Sequence, residues 1–442
     1  MARKLFFVLL LCWLSASCQS TKPGQQLSVL ITEQWLSENL PKEGPRLMMT
    51  EAKLQRAKAL IQQDPLLDRY AQYLQGQANW VLQSPPLERV QVGKRLLSVS
   101  REALRRLTLL ALTYRLTEEK VYLQRLDQEL TTVCRFSDWN PSHFLDVAEM
   151  AMGVSLALDW TQEALPEKTV RLIKQTLKTK ALEPSFTDDY FWISKDNNWN
   201  QVCHGGLIAA AIVLAEEEPS LAVQTLKRAV DNIPYGLEVY APEGAYPEGP
   251  GYWLYGTAYS CLTFAIMQSA LGTDFGFGNS EGFLESGMYK LMMATPSGQA
   301  YNYADNRTAG MNLENQQILL WFALQSEQSG YFDRERMISD LPLPVTAQDN
   351  GNRFSSAAFW WLADFVERQD EGGAESLPRA RVWQGDNPIG VVRGKNGFYL
   401  GFKGGHASVN HGHADAGSFI LQWRGVDWSL DPGNQSYDQV EQ

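Results

Sequence analysis

From "RLMMTEAKLQRAKALIQQ" to about Phe365 the apolar positions recur at the spacing of a helix face. Clear examples are "REALRRLTLLALTYRL", "FLDVAEMAMGVSLALDW" and "QVCHGGLIAAAIVLAEEE". Breaks rich in Pro, Gly and acidic residues ("LPEKT", "EEEPS", "APEGAYPEGPG") cut this pattern into lengths typical of single helices. The pattern predicts a long all-helical domain of paired helices over 19–366. No repeat of fixed length is visible, so a closed toroid of helical hairpins and an open solenoid both remain compatible with the spacing.

The polar, glycine-bearing stretch 367–380, "ERQDEGGAESLPRA", reads as a linker. Beyond it the pattern changes to short runs of alternating polarity broken by Gly: "VWQGDNPIGVVRG", "GFYLGFKGG" and "SFILQWRGVDWSLDPG". A β domain is therefore expected over 381–442. A sheet normally needs more strands than this to bury a face, so the expectation is a truncated β domain or one completed by the helical domain.

The N-terminus, "MARKLFFVLLLCWLSASCQS", has a basic start, an apolar run from Leu5 to Leu14 and small residues before Cys18. This reads as an export signal over 1–18, since the run is too short for a bilayer, which takes ~20 residues. "SASC" resembles a bacterial lipobox, with Ser15 where that motif prefers Leu. The resemblance implies a lipid anchor at Cys18 and an exported protein, periplasmic or anchored to the outer membrane. If Cys12 and Cys18 belong to the signal, Cys134, Cys203 and Cys261 remain. An odd number without CxxC spacing argues against both a disulfide framework and a thiolate zinc site, and for buried core residues.

Composition narrows the functional classes. The 14 Trp, 17 Tyr and 18 Phe can build a substantial core. The formal charge of −11, with no strongly basic block, speaks against nucleic acid as a partner. An anionic polymer as substrate would need a local basic groove against that overall field.

Candidate chemistry lies in three places. "NHGHADAGSF" (410–419) holds His411, His413 and Asp415 at every second position, and with His406 contains three of the chain's five histidines. In an extended segment these three side chains share a face, and imidazoles with a carboxylate suit zinc; the alternative is a polar surface strand. Asp431 in "WSLDPG" is a further candidate ligand. With a tight turn at Arg424 and Gly425 it is expected opposite Ile420, seven residues past His413, or ~23 Å along a straight strand. The second place is "DNNWNQVCHGG" (196–206), just before an apolar helix. Its Asn residues are either caps and turns or neutral amide donors able to grip a carboxylate, and His204 is either a core histidine or part of that grip. The third is "PEGAYPEGPGYWLYGTAY" (242–259), where Tyr252, Tyr255 and Tyr259 follow a loop holding Glu243 and Glu248. A Tyr there is either core or a proton-transfer group for a sugar oxygen. Glu243, Glu248 and Asp305 leave open a two-carboxylate glycoside hydrolase.

Five stretches, "PRLMMTEAKLQRAKALI", "NNWNQVCHGG", "YPEGPGYWLYGTAY", "HGHADAGSF" and "DPGNQSY", resemble in order those of the heparinase II/III-like polysaccharide lyases, over nearly all of the chain after the signal. The resemblance implies an N-terminal (α/α) toroid followed by an antiparallel β-sandwich, here truncated, with the active site in the cleft between them. It implies β-elimination at a uronic acid of an anionic polysaccharide. Carried over, Asn198 neutralises the substrate carboxylate with help from His204, although the distance from His204 to Tyr252 departs from the family spacing. Tyr252, with Tyr255 as alternative, and His411 become the acid and base. Trp199, Asn200, Glu248 and Tyr255 fall among the substrate-binding residues. His413 and Asp431 become ligands of a structural zinc whose further His would fall past Gln442. A glycan-binding protein without catalysis is the other reading kept open.

Overall fold

The computed structural model describes residues 27–434, apart from 307–309, 327, 350, 370–371, 374–375, 386 and 407. The expected signal, with Cys12 and Cys18, lies outside the described residues. The first helices are α1 (Glu33–Asn39), α2 (Glu51–Ile61), α3 (Pro65–Gln83), α4 (Leu97–Thr117), α5 (Lys120–Cys134), α6 (Phe144–Thr161) and α7 (Glu167–Leu177). They are followed by α8 (Asn198–Val213), α9 (Pro219–Leu237), α10 (Pro250–Leu271), α11 (Ser286–Met292), α12 (Leu313–Ser326), α13 (Arg334–Asp340) and α14 (Ser355–Glu367). Local sequence sets many of their starts. The Asp64 carboxylate accepts the amides of Leu66 and Leu67 with Pro65 at the first helical position of α3, and the Asn197 side chain caps α8 through the amide of Trp199.

Even-numbered helices from α4 to α14 form the inner ring. They pack in the order α4, α6, α8, α10, α12, α14, and α14 returns to α4. The ring is thus a closed toroid, the arrangement that spacing alone left undecided. α6, α8 and α10 are apolar nearly all round and buried nearly throughout, as central helices must be. α5, α7 and α9 each bury one stripe and lie outside. Cys134, Cys203 and Cys261 are free thiols in this core. No described helix is long and apolar enough to cross a membrane.

The six inner helices begin at one end of the ring. Arg101 in the first turns of α4, Glu149 in α6, Tyr255 in α10 and Arg353 just before α14 are in mutual contact there, and Glu314 at the start of α12 lies 3.9 Å from Arg353. The start of α8 joins them through Asn198, which bonds Glu248 in the turn before α10.

α14 ends at Glu367 and the first strand begins at Ala380. Strands β1 (Ala380–Trp383), β2 (Ile389–Arg393), β3 (Tyr399–Lys403), β4 (Phe419–Trp423) and β5 (Val426–Ser429) form one antiparallel sheet in sequence order. One face, with Trp383, Ile389, Val391, Tyr399 and Ile420, is buried against the toroid. The Tyr399 hydroxyl donates to the Met292 carbonyl at 3.0 Å, Arg393 donates to the Ala294 carbonyl at 2.7 Å, and Gln422 donates to the Ser297 hydroxyl at 2.8 Å. On this side the helical domain completes the sheet. The opposite face carries Val382, Phe402, Phe419, Trp423 and Val426, all exposed. Val382, Gly390, Phe402 and Phe419 form one row across four strands, with the Phe402 ring lying over Gly390.

Candidate active site

The turn before α10 brings Glu248 and Tyr252 into place. Gly249 has φ +89°, and a Cβ there would collide with the side chain of Asn306, so glycine is required. Asn306 clamps this turn, donating to the carbonyls of Glu248 at 3.0 Å and Tyr303 at 2.6 Å and accepting the Gly251 amide. Lys290 donates to the Pro250 carbonyl at 3.0 Å from the other side. Glu248, 1 % exposed, accepts the Asn198 amide at 2.9 Å and the Asn410 amide at 2.6 Å, both on Oε2. The Tyr246 hydroxyl and the Asn198 backbone amide also act on this carboxyl. Burial raises the carboxyl to about 7, against the lowering effect of the amides.

The segment holding His411 and His413 is not the extended strand that alternate spacing predicted. It lies in the loop between β3 and β4, where His411 adopts φ +57°. A non-glycine residue in that region persists only where its surroundings hold it. Asp305 does so twice: its amide donates to the His411 carbonyl at 3.2 Å, and its Oδ2 meets His411 Nδ1 at 2.8 Å. Asp305 Oδ1 meets His413 Nε2, also at 2.8 Å. Asp415, the third member of the motif, turns away to pair with Lys403 in β3. With Nδ1 directed at a carboxylate, His411 carries its proton there when neutral and directs Nε2 toward Glu248, 3.6 Å away. The Tyr252 ring stacks on the His411 ring with centroids 3.8 Å apart and an interplanar angle of 12°. Burial, reinforced by the charges of Arg95 and His413 and opposed by Asp305, holds the His411 imidazole below its ordinary pKa.

The other sequence candidates separate by helix geometry. His204 lies six residues past Asn198, 240° around α8, and is 1 % exposed. Its Nε2 bonds the Ile193 carbonyl at 3.0 Å, its ring meets Trp192 edge-on, and burial drops it to about 3. It is a neutral core histidine, which corrects its assignment to the carboxylate grip. Asn200 shares that face and donates to the carbonyls of Ile193 and Asn232; it fastens α8 to its neighbours and does not reach the cleft. Trp199 packs between His143 and Phe191 with ring centroids 4.8 and 4.9 Å away. The Tyr255 hydroxyl donates to Glu149 at 2.7 Å, deeper in the ring than Tyr252, and burial raises its pKa well above the usual value. Glu243 accepts the Gln384 amide at 2.9 Å, at the seam with the sheet.

Among the described residues no three His, Cys, Asp or Glu side chains are grouped to hold a metal. Asp431 accepts the Gly433 amide at 2.8 Å and lies past β5. β5 ends at Ser429, which a β-bulge sets opposite Leu421, so no pairing with Ile420 forms.

Sequence reasoning missed Asn410, Asn306 and Arg95. Asn410 stood beside the histidines as a ready amide donor, and Asn306 closes "YNYADN" next to Asp305. Arg95 comes from the turn before α4, some 300 positions away, and nothing local announced it.

No protein-family model and no curated protein sequence matches the chain. Solved structures do. The chain is similar to a heparinase III with a TM-score of 0.50 and 13 % identity, over 93 % of this chain and 68 % of that one. It is similar to an alginate lyase from Bacteroides ovatus (TM-score 0.51, 13 % identity, 72 % of this chain and 99 % of that one). It is also similar to a chondroitin AC lyase from Streptomyces coelicolor A3, solved in complex with chondroitin sulphate (TM-score 0.51, 12 % identity, 91 % of this chain and 58 % of that one). At such identities the likeness establishes the fold: a helical toroid followed by an antiparallel sheet, as in heparinase-like polysaccharide lyases.

Proposed function

We propose that this protein is a polysaccharide lyase that cleaves a uronate-containing polysaccharide by β-elimination. The observation that carries the reading is the stack of Tyr252 on His411 beside two side-chain amides that converge on one carboxyl oxygen. The C5 proton of a uronate is too weakly acidic to leave while the neighbouring carboxylate is fully charged, so that group must first be neutralised. Asn198 and Asn410 already hold a carboxyl oxygen with uncharged donors, and Glu248, at about 7, is available near neutrality as a protonated carboxyl that can donate to a second one.

The proton transfers follow. A base takes the C5 proton, the electron pair forms the C4–C5 double bond, the C4–O4 bond breaks, and an acid protonates O4. Tyr252 and His411, in ring contact, divide these two roles. Asp305 orients His411 for its share. The polyanion is accommodated in a chain of charge −11 because six helix N-termini open at this end of the ring, with Arg95, Arg101 and Arg353 close by. Likeness to heparinase, alginate lyase and chondroitin lyase structures supports the same substrate class. An export signal with lipidation at Cys18 fits an enzyme that meets such a polymer outside the cytoplasm.

The hydrolase reading finds less support. Asp305 is engaged by two imidazoles and Glu243 by a backbone amide, so both are already held by protein partners. Product mass decides between them. Elimination gives fragments whose masses sum to that of the substrate, whereas hydrolysis adds one water per cut, and intact substrate throughout would favour a binding protein.

A further inference from the structure

About one turn along α10 from Tyr252, roughly 4.5 Å of rise deeper into the ring, lies a second polar cluster. The guanidinium groups of Arg101 and Arg353 sit 4.8 and 5.2 Å from the centroid of the Tyr255 ring. Both approach a single carboxylate, Glu149, which is fully buried. Glu149 Oε1 accepts Arg101 Nε at 3.1 Å and the Tyr255 hydroxyl at 2.7 Å. Its Oε2 lies 3.4 Å from Arg353 Nε in a geometry that makes no hydrogen bond, and the Tyr259 hydroxyl also stabilises this carboxylate. Arg101 keeps 37 % of its side chain exposed and uses only Nε on Glu149. The nearest other carboxyl, Glu314, is 3.9 Å from Arg353, and burial raises its pKa against the lowering charges of Arg353 and Arg101. Two fork-shaped cations thus converge on the Glu149 carboxylate, with Glu314 beyond Arg353, next to the proposed reaction centre.

We propose that Arg101 and Arg353 form an anion subsite that receives the carboxylate or sulfate ester of a sugar adjacent to the cleaved uronate. The assignment rests on reading the cleft as a polyuronate site. Planar guanidinium groups suit both oxyanions, and two of them fix a sugar's orientation where one would not. The subsite acts on binding and register, while Tyr252 and His411 act on bonds.

The test is calorimetric titration of unsulfated and sulfated uronate oligosaccharides into the full chain carrying Tyr252→Phe, with and without Arg101→Gln or Arg101→Lys. A parallel thermal-shift titration uses inorganic sulfate on the chain with Tyr252 intact. Arg101 pairs with the buried Glu149, so the unfolding temperature of each variant is measured alongside, and Arg101→Lys keeps the charge if Arg101→Gln fails to fold. Arg101→Gln is expected to weaken oligosaccharide binding about tenfold or more and to remove a saturable part of the stabilisation by sulfate; Arg101→Lys recovers part of each. A larger loss with sulfated ligands identifies a sulfate ester, and a larger loss with unsulfated ones a carboxylate. Oligosaccharide affinities that Arg101→Gln leaves equal, together with an unchanged sulfate response, overturn the subsite. A sulfate response through Arg101 without binding of any oligosaccharide would keep the anion site and overturn the polysaccharide reading instead.

Discussion

Glu248 is sealed from solvent, and its carboxyl, ordinarily at 4.5, is raised to about 7 mainly by burial. Folding therefore favours its protonated form. The stability tied to this group is fully present below about 4.5 and is lost as pH rises through about 7. At roughly 1.4 kcal/mol per unit, the loss reaches about 3 kcal/mol. Glu248→Gln should flatten that part of the stability profile, which denaturant unfolding across the window measures. A wild-type profile no steeper than the variant's would remove Glu248 from its role as a near-neutral proton carrier. Tyr252→Phe keeps the stacked ring and loses the hydroxyl, so turnover should fall about 10²- to 10⁴-fold with an unchanged melting temperature. The sequence placed Asn198, Tyr252 and His411 at the cleft by resemblance, but it could not separate three Asn within four residues. Asn197 caps α8, Asn198 meets Glu248 and Asn200 fastens α8 to neighbouring backbone. Only the phase of the helix decides which does which. The same phase sends His204 into the core.

The loop between β3 and β4 carries Asn410, His411 and His413, and it is closed at its base by Lys403. The Lys403 side chain is fully buried and pairs with Asp415, while the backbone of Lys403 bonds Gly417 and Ser418. Neutralising one partner of such a pair leaves the other charge uncompensated. Asp415→Asn should destabilise the protein by about 3 kcal/mol and lower kcat, because the loop no longer holds His411 against Asp305. Calorimetric unfolding and steady-state kinetics check both parts. Stability and kcat both equal to wild type would show that Asp415 does not close the loop. Alternation along "HGHAD" suggested a strand, and the side chains of His411 and His413 do converge, but on Asp305 from a turn. Periodicity describes regular backbone, and the left-handed conformation of His411 depends on a contact with a residue more than 100 positions earlier. The helices themselves were legible because each needs only its own apolar spacing and its caps.

Over the whole molecule, the proposed binding of a polyanion draws on the shared direction of the inner helices and on Arg95, Arg101 and Arg353 near their starts, inside a chain with excess negative charge. The field of these groups acts over distances that salt screens. kcat/KM on a polyanionic substrate should fall about tenfold as ionic strength rises from low to high, with kcat little affected; a kcat/KM independent of salt would contradict that role for the field. Spacing along the chain could not reveal this arrangement, since ring closure and the common direction of the inner helices exist only once α14 meets α4. The sheet shows the same limit. Its five strands were readable as short alternating runs, but that the toroid buries one of its faces depends on Tyr399, Trp383 and Ile389 meeting helices far earlier in the chain. The most direct test of β-elimination at this cleft is ultraviolet absorbance of the unsaturated uronate during incubation with a panel of uronate-containing polysaccharides, run for the full chain and for Tyr252→Phe. The account predicts a rising signal on at least one polymer that the Tyr252→Phe protein fails to give. Cleavage to saturated ends without that signal, or an equal signal from the variant, would contradict it.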